Sequence, residues 1–186
     1  MDFIDLGFGI WEIVTSVCGA IVKAVPTHRQ CDIEITNESL QYTLCNPRMY
    51  IKHGRCRKPL PPTISQSSSG EVEFTKTPNT ACGSAGIVTY ELLQTSTKDT
   101  TEQIAVLFKV PFDLNLKSNE FAVGVFDIGR NCNHGLFQDM SKNKGKAFVR
   151  TKAKGSVLTH KDQNITVMAT MSDCHSPVIK VQVMDA

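Results

Sequence analysis

Asn164-Ile-Thr-Val-Met-Ala-Thr170 and the segment that follows it, Val178-Ile-Lys-Val-Gln-Val183, place an apolar side chain at nearly every second position. Successive side chains of a strand point to opposite faces, so a period of two marks a strand with one face on a core and the other in water. Cys31-Asp-Ile-Glu-Ile-Thr36 shows the same alternation. Three further runs, Gly86–Leu93, Gln103–Val110 and Phe121–Phe126, are rich in β-branched and aromatic residues and are bounded by turn formers. Between the runs lie Lys58-Pro-Leu-Pro-Pro-Thr63, Ser65-Gln-Ser-Ser-Ser-Gly70 and Ser141-Lys-Asn-Lys-Gly-Lys146, which read as loops at the ends of sheets. The expectation is a mainly β protein, a sandwich. A short helix is expected at His134 to Met140, where Leu136, Phe137 and Met140 share a face. No internal repeat occurs.

Length and composition agree with one principal domain. The chain has 186 residues, 41% of them hydrophobic and 20% charged, which is the balance of a folded globular protein. A formal charge of +2 is far from that of a dedicated nucleic-acid binder, so no nucleic-acid partner is expected and any electrostatic function must be local. The seven cysteines form no CxxC pair and no regular framework, and a mostly reduced set with at most one or two bridges is expected. The amino terminus is apolar but carries Asp2, Asp5 and Glu12 where a secretory signal would start with positive charge. These features predict a protein made soluble without a clear signal peptide, cytosolic or non-classically secreted. Asn37-Glu38-Ser39 and Asn164-Ile165-Thr166 would serve as glycosylation sites only on export.

Before Pro26 the pattern changes from strand-like to helical. Asp2, Asp5, Gly9, Glu12, Ser16, Gly19 and Lys23 recur at spacings of 3 and 4, a narrow polar stripe along a helix. Phe3, Ile4, Phe8, Ile10, Trp11, Val14 and Ile21 are among the apolar residues that cover most of the remaining circumference, so that about two thirds of the helix surface is apolar, more than one docking face can bury. Twenty-three residues at ~1.5 Å each reach about 34 Å, enough to cross a ~30 Å hydrocarbon layer. The chain therefore divides into an amphipathic helix, residues 1–25, and a β-sandwich, residues 26–186. The helix either inserts in a membrane, where several copies turn the polar stripe inward and its acidic residues favour cations, or lies buried between the sandwich and a partner subunit, or is an uncleaved targeting segment.

Val110-Pro-Phe-Asp-Leu-Asn-Leu-Lys-Ser-Asn119 resembles the actinoporins, the sea-anemone pore-forming cytolysins, and their vertebrate actinoporin-like relatives. Ile35-Thr-Asn-Glu-Ser39, Tyr50-Ile-Lys-His-Gly54, Gly83-Ser-Ala-Gly-Ile-Val-Thr-Tyr90, Ile104-Ala-Val-Leu-Phe108, Gly135-Leu-Phe-Gln-Asp-Met140 and Met168-Ala-Thr-Met-Ser172 follow the family order, so the resemblance covers about residues 31 to 183. It implies a β-sandwich flanked by two short helices, of which the amino-terminal one inserts and oligomerises, and a phosphocholine site for sphingomyelin. The headgroup positions it assigns are His53, Ala85, Lys109, Pro111, Lys117, Phe137, Ser141 and Lys142. Only Pro111 matches the family. His53, Ala85 and Lys109 replace a serine, a valine and a serine; Phe137, Ser141 and Lys142 replace three tyrosines; Glu120 and Phe121 stand in place of a tryptophan pair, and Phe121 alone keeps a ring.

Aromatic rings hold a quaternary ammonium and lysines repel it, so the departures imply altered lipid recognition. Two acid-free runs supply charge instead. One holds Lys142, Lys144, Lys146, Arg150, Lys152, Lys154 and Lys161; the other holds Arg48, Lys52, Arg55, Arg57 and Lys58. Both are placed in loops near the membrane-facing end, where each basic residue contributes about 1 kcal/mol toward an anionic surface. Anionic lipid or anionic glycan is thus favoured over sphingomyelin, with ordinary solvated loops as the alternative. No serine elbow, phosphate loop or HExxH occurs, and Cys132 with His134 and Cys174 with His175 are isolated pairs, so no enzyme activity, cofactor or metal is expected. Two functions remain: an oligomeric, cation-preferring pore former self-associating on membrane lipids, or a non-lytic lectin-like glycan- or lipid-binding module.

Overall fold

The computed structural model describes residues 30–186. The expected helix with its polar stripe and lipid-facing residues, and the boundary at residue 25, lie outside the described residues.

The first sheet holds β1 (Gln30–Asn37), β3 (Arg55–Lys58), β5 (Ser68–Thr75), β10 (Leu158–Lys161), β11 (Ile165–Met171) and β12 (Val178–Asp185). The second holds β2 (Tyr42–His53), β4 (Thr63–Ile64), β6 (Ser84–Gln94), β7 (Thr100–Val110), β8 (Glu120–Asp127) and β9 (Phe148–Lys152). Their orders are β10-β11-β12-β1-β5-β3 and β4-β2-β6-β7-β8-β9. At the centre of the first, β1 pairs parallel with β12 and antiparallel with β5, so Ile33 has Ile179 on one side and Val72 on the other. The mainly β sandwich is as the sequence predicts.

Between the sheets, Ile33, Ile35, Val167 and Val181 face Val88, Ile104, Val106 and Val123, all almost fully buried. Phe74 and Phe108 stack across the gap with centroids 4.5 Å apart. Among the described residues a short helix, α1 (His134–Lys142), covers the outer face of the second sheet. Leu136, Phe137 and Met140 of α1, with Phe148, bury Ala85, Ile87, Ala105, Leu107 and Ala122. The second sheet is therefore apolar on both faces, which accounts for the unbroken apolar runs in β6 to β8, whereas the first sheet keeps the simple alternation of a sheet with one wet face. Asn133 starts α1 by accepting a hydrogen bond from the Leu136 N–H (3.2 Å). Arg150 ends it by donating to the Met140 carbonyl (2.7 Å).

The structure corrects several expectations. Strand β5 begins at Ser68, so the serine-rich turn is shorter than expected and centres on Ser67, in the left-handed region at φ 55°. Strand β2 escapes the alternation test because its register shifts between Cys45 and Arg48, where Asn46 takes φ 51° and Pro47 follows. Consequently Arg48 and Lys52 lie on β2 and Arg55, Arg57 and Lys58 on β3, not in loops; Arg150, Lys152 and Lys161 are also strand residues. Asn37 is fully buried and its amide donates to the Tyr42 and Ile64 carbonyls (2.9 and 3.1 Å), so it is no glycan acceptor in the folded chain.

Candidate functional site

Strand register alone assembles one end of the second sheet. His53 pairs with Ala85, Ala85 with Lys109, Lys109 with Glu120, and Glu120 with Lys152. Positions far apart in the chain thus form one transverse row over β2, β6, β7, β8 and β9. Above the row sit the β7–β8 loop, residues 111–119, and the last turn of α1. Two glycines permit this close assembly. Gly54 turns β2 into β3 at φ 96°, where a Cβ would lie 2.5 Å from the Thr75 carbonyl oxygen, and a Cβ on Gly83 would lie 1.8 Å from the Val110 carbonyl oxygen.

The result is an open depression of about 670 Å³. All eight positions assigned by the resemblance, His53, Ala85, Lys109, Pro111, Lys117, Phe137, Ser141 and Lys142, line it. Five lysines reach it, Lys52, Lys109, Lys117, Lys142 and Lys152, against two carboxylates, Asp113 and Glu120. Lys109 Nζ lies 2.6 Å from Glu120 Oε2, so that ammonium is compensated. Lys52 Nζ lies 5.4 Å from the centroid of the Phe137 ring. The Ser141 hydroxyl is inaccessible to solvent and has no hydrogen-bond partner among the described residues.

Two ring assignments change. Phe121 points into the core and is fully buried, because Glu120 before it takes the outward position and neighbours on a strand alternate. Phe137 retains 3% of its exposure and packs at 5.9 Å, centroid to centroid, against Tyr50. Neither offers a face to a ligand. Sequence reasoning missed the outward apolar side chains of the β7–β8 loop, Phe112 at 44% and Leu116 at 80% exposure, although both stand in the stretch that carries the family resemblance. It also missed Lys52 and Lys152 as lining residues, since only the register brings them there.

The charged runs separate. Arg48 pairs with Glu91 (3.0 Å), Arg57 with Glu73 (3.1 Å) and Lys58 with Glu71 (2.5 Å). The hydrogen bond between Lys58 and Glu71 holds the carboxyl below its usual range and the ammonium above its own. In the other run Lys142, Lys144, Lys146, Lys152, Lys154 and Lys161 are exposed, and no carboxylate of the described residues pairs with them. Arg150 donates to the Met140 carbonyl at the helix end.

The isolated thiol and imidazole pairs are engaged elsewhere. His134 accepts or donates at both ring nitrogens, to Tyr50 Oη and to Gln138 Nε2 (each 3.0 Å), and Cys132 Sγ faces the Ile87 carbonyl (3.9 Å). No group of three metal-binding side chains occurs among the described residues. No helix among them is long and apolar enough to cross a membrane.

Comparison with known proteins bears on this arrangement. DELTA-alicitoxin-Pse1b of Phyllodiscus semoni is 29% identical over 134 residues, covering 71% of this chain and 54% of the toxin. DELTA-thalatoxin-Avl1b of Actineria villosa is 28% identical over the same length and shares. The chain spans about half the length of the curated relatives it matches. Among solved structures, the lipid binding protein Nakanori superposes with a TM-score of 0.64 at 11% identity, covering 83% of this chain and 70% of Nakanori, which establishes a common fold. A family model described as sea anemone cytotoxic protein matches residues 3–179. The chain belongs to that family, the actinoporins.

Proposed function

We propose that the chain binds membranes through the lysine-lined end of its second sheet and inserts residues 2–24 to build an oligomeric, cation-preferring pore. The observation that carries this reading is the convergence of all eight assigned headgroup positions on one depression beside an outward-facing apolar loop. Leu116 and Phe112 supply the hydrophobic contact, each side chain gaining about 1.5–3 kcal/mol on full transfer out of water. The uncompensated lysines supply attraction to anionic lipid, or to an anionic glycan, in preference to sphingomyelin. The protein meets its target membrane from the aqueous phase, and residues 26–186 act as the binding domain.

The second reading, a non-lytic glycan- or lipid-binding module, draws on the burial of Phe121 and Phe137, which leaves no ring face for choline at those two positions. One experiment separates the two. Dye release is measured from vesicles of phosphatidylcholine alone, with sphingomyelin, and with phosphatidylserine, using the full chain and Val14→Pro. Release from the phosphatidylserine vesicles, lost in V14P while binding persists, supports the pore; binding without release by either protein supports the module.

A further inference from the structure

We infer that the depression selects a phosphate monoester, as borne on a membrane lipid, and discriminates against phosphate diesters of equal surface charge. The inference rests on the reading that this end of the molecule faces lipid.

The donors present match the acceptors that a monoester carries. Lys109 is neutralised by Glu120, but Lys52, Lys117, Lys142 and Lys152 line the same depression without a carboxylate partner among the described residues. Ser141, next to Lys142 in the chain, also lines the depression, but its hydroxyl is closed to solvent. A monoester brings three peripheral oxygens and a charge of about −1.5 to −2 at neutral pH, whereas a diester brings two such oxygens and a single charge. Four ammoniums without a carboxylate partner are more than a diester can satisfy.

Features of the wall exclude the alternatives that the fold would otherwise allow. The helix end beside the depression does not present a bare carbonyl at Met140, because Arg150 satisfies it, so one local source of repulsion toward an anion is removed. Asp113 is turned into its own loop, accepting from the Asn115 N–H at 2.8 Å. With Phe121 and Phe137 both buried, a choline has no ring from those positions to stack on. The volume, about 670 Å³, falls within the roughly 300–1,000 Å³ of small-ligand sites.

The test is co-sedimentation of the full chain with phosphatidylcholine vesicles that carry phosphatidic acid, a monoester, or phosphatidylglycerol, a diester, at compositions matched for measured zeta potential. Phosphatidic acid vesicles are expected to bind about tenfold more tightly, as the loss of one or two charge-assisted hydrogen bonds would give in the diester. Lys142→Gln with Lys152→Gln abolishes that preference, with melting curves confirming that the variant is folded. Glycerol 3-phosphate added as a soluble competitor displaces the protein from phosphatidic acid vesicles more readily than from phosphatidylglycerol vesicles. Equal binding to the two matched vesicles, or a preference unchanged in the double variant, overturns the inference. Binding of glycerol 3-phosphate alone, with no attachment to either vesicle, identifies a free phosphate monoester as the ligand and overturns the membrane source. Selective attachment without dye release would remove the pore and leave the monoester site standing.

Discussion

Arg48–Lys58 and Lys142–Lys161 both lack an acidic residue along the chain, yet their charges meet different surroundings. Strands β2 and β3 lie beside β6 and β5, whose outward positions hold Glu91, Glu71 and Glu73, and three of the five basic residues find partners there. The second run occupies the end of α1, the loop after it and the edge strands β9 and β10, where no carboxylate of the described residues meets its lysines. A run of like charge therefore becomes a binding surface only when the neighbouring strands withhold the opposite charge. By that measure the second run is the one whose charge stays open to an anionic partner, and the first is largely a set of cross-strand ties.

The sharpest way to break this comparison is charge reversal. Lys142→Glu with Lys152→Glu is expected to weaken attachment to phosphatidylserine vesicles by more than about tenfold, while Arg57→Gln with Lys58→Gln changes it by less than about twofold, as co-sedimentation would measure. Comparable losses in both variants would mean that pairing does not decide which run binds. The next effect separates charge from apolar contact. Raising salt from 0.1 M to 1 M shortens the Debye length from about 10 Å to about 3 Å and should remove most attachment through the lysines. What remains should fall about fivefold further in Leu116→Ser, since that side chain carries much of the outward apolar surface of the β7–β8 loop.

His160 sharpens the comparison within the second run. It is the one basic side chain there turned inward, 6% exposed with its Nε2 unpaired among the described residues. Burial pushes its pKa down, partly opposed by the nearby Asp162. A base whose folded pKa is depressed stabilises the fold above its unfolded value, near 6.5, and loses that contribution as pH falls through the folded value. Melting temperature should therefore drop as pH is lowered below about 6.5, and His160→Gln should flatten that dependence. The smallest effect belongs to the first run: Arg48→Gln, which removes a half-exposed ion pair, should cost less than about 1 kcal/mol in denaturant unfolding.

Legibility followed the physics of each element. In β1, β11 and β12 one face is wet, so the period of two survives and the strands can be read directly. In β6 to β8 both faces are covered, and the apolar runs showed strands without showing which residue faces α1. Strand β2 was hidden by its bulge at Asn46 and Pro47, and β9 and β10 are short edge strands with no clear period. The eight headgroup positions came from resemblance, and their convergence is a property of register. Phe121 was misassigned because one residue along a strand exchanges outside for inside, and no local pattern marks which of Glu120 and Phe121 faces the core.

By itself, the sequence determined the mainly β architecture, the inward-facing residues of the one-sided sheet, the short helix at His134 to Met140 and the stretch that carries the family. Those features depend on periodicities within a dozen residues. Only the tertiary structure decided which charges are spent, which rings are hidden and which lysines share a depression. Arg48 and Glu91 stand 43 residues apart and Lys109 and Lys152 are joined only through Glu120, so their encounters are set by strand order and register, which bring distant positions together after the core has chosen how the sheets pack.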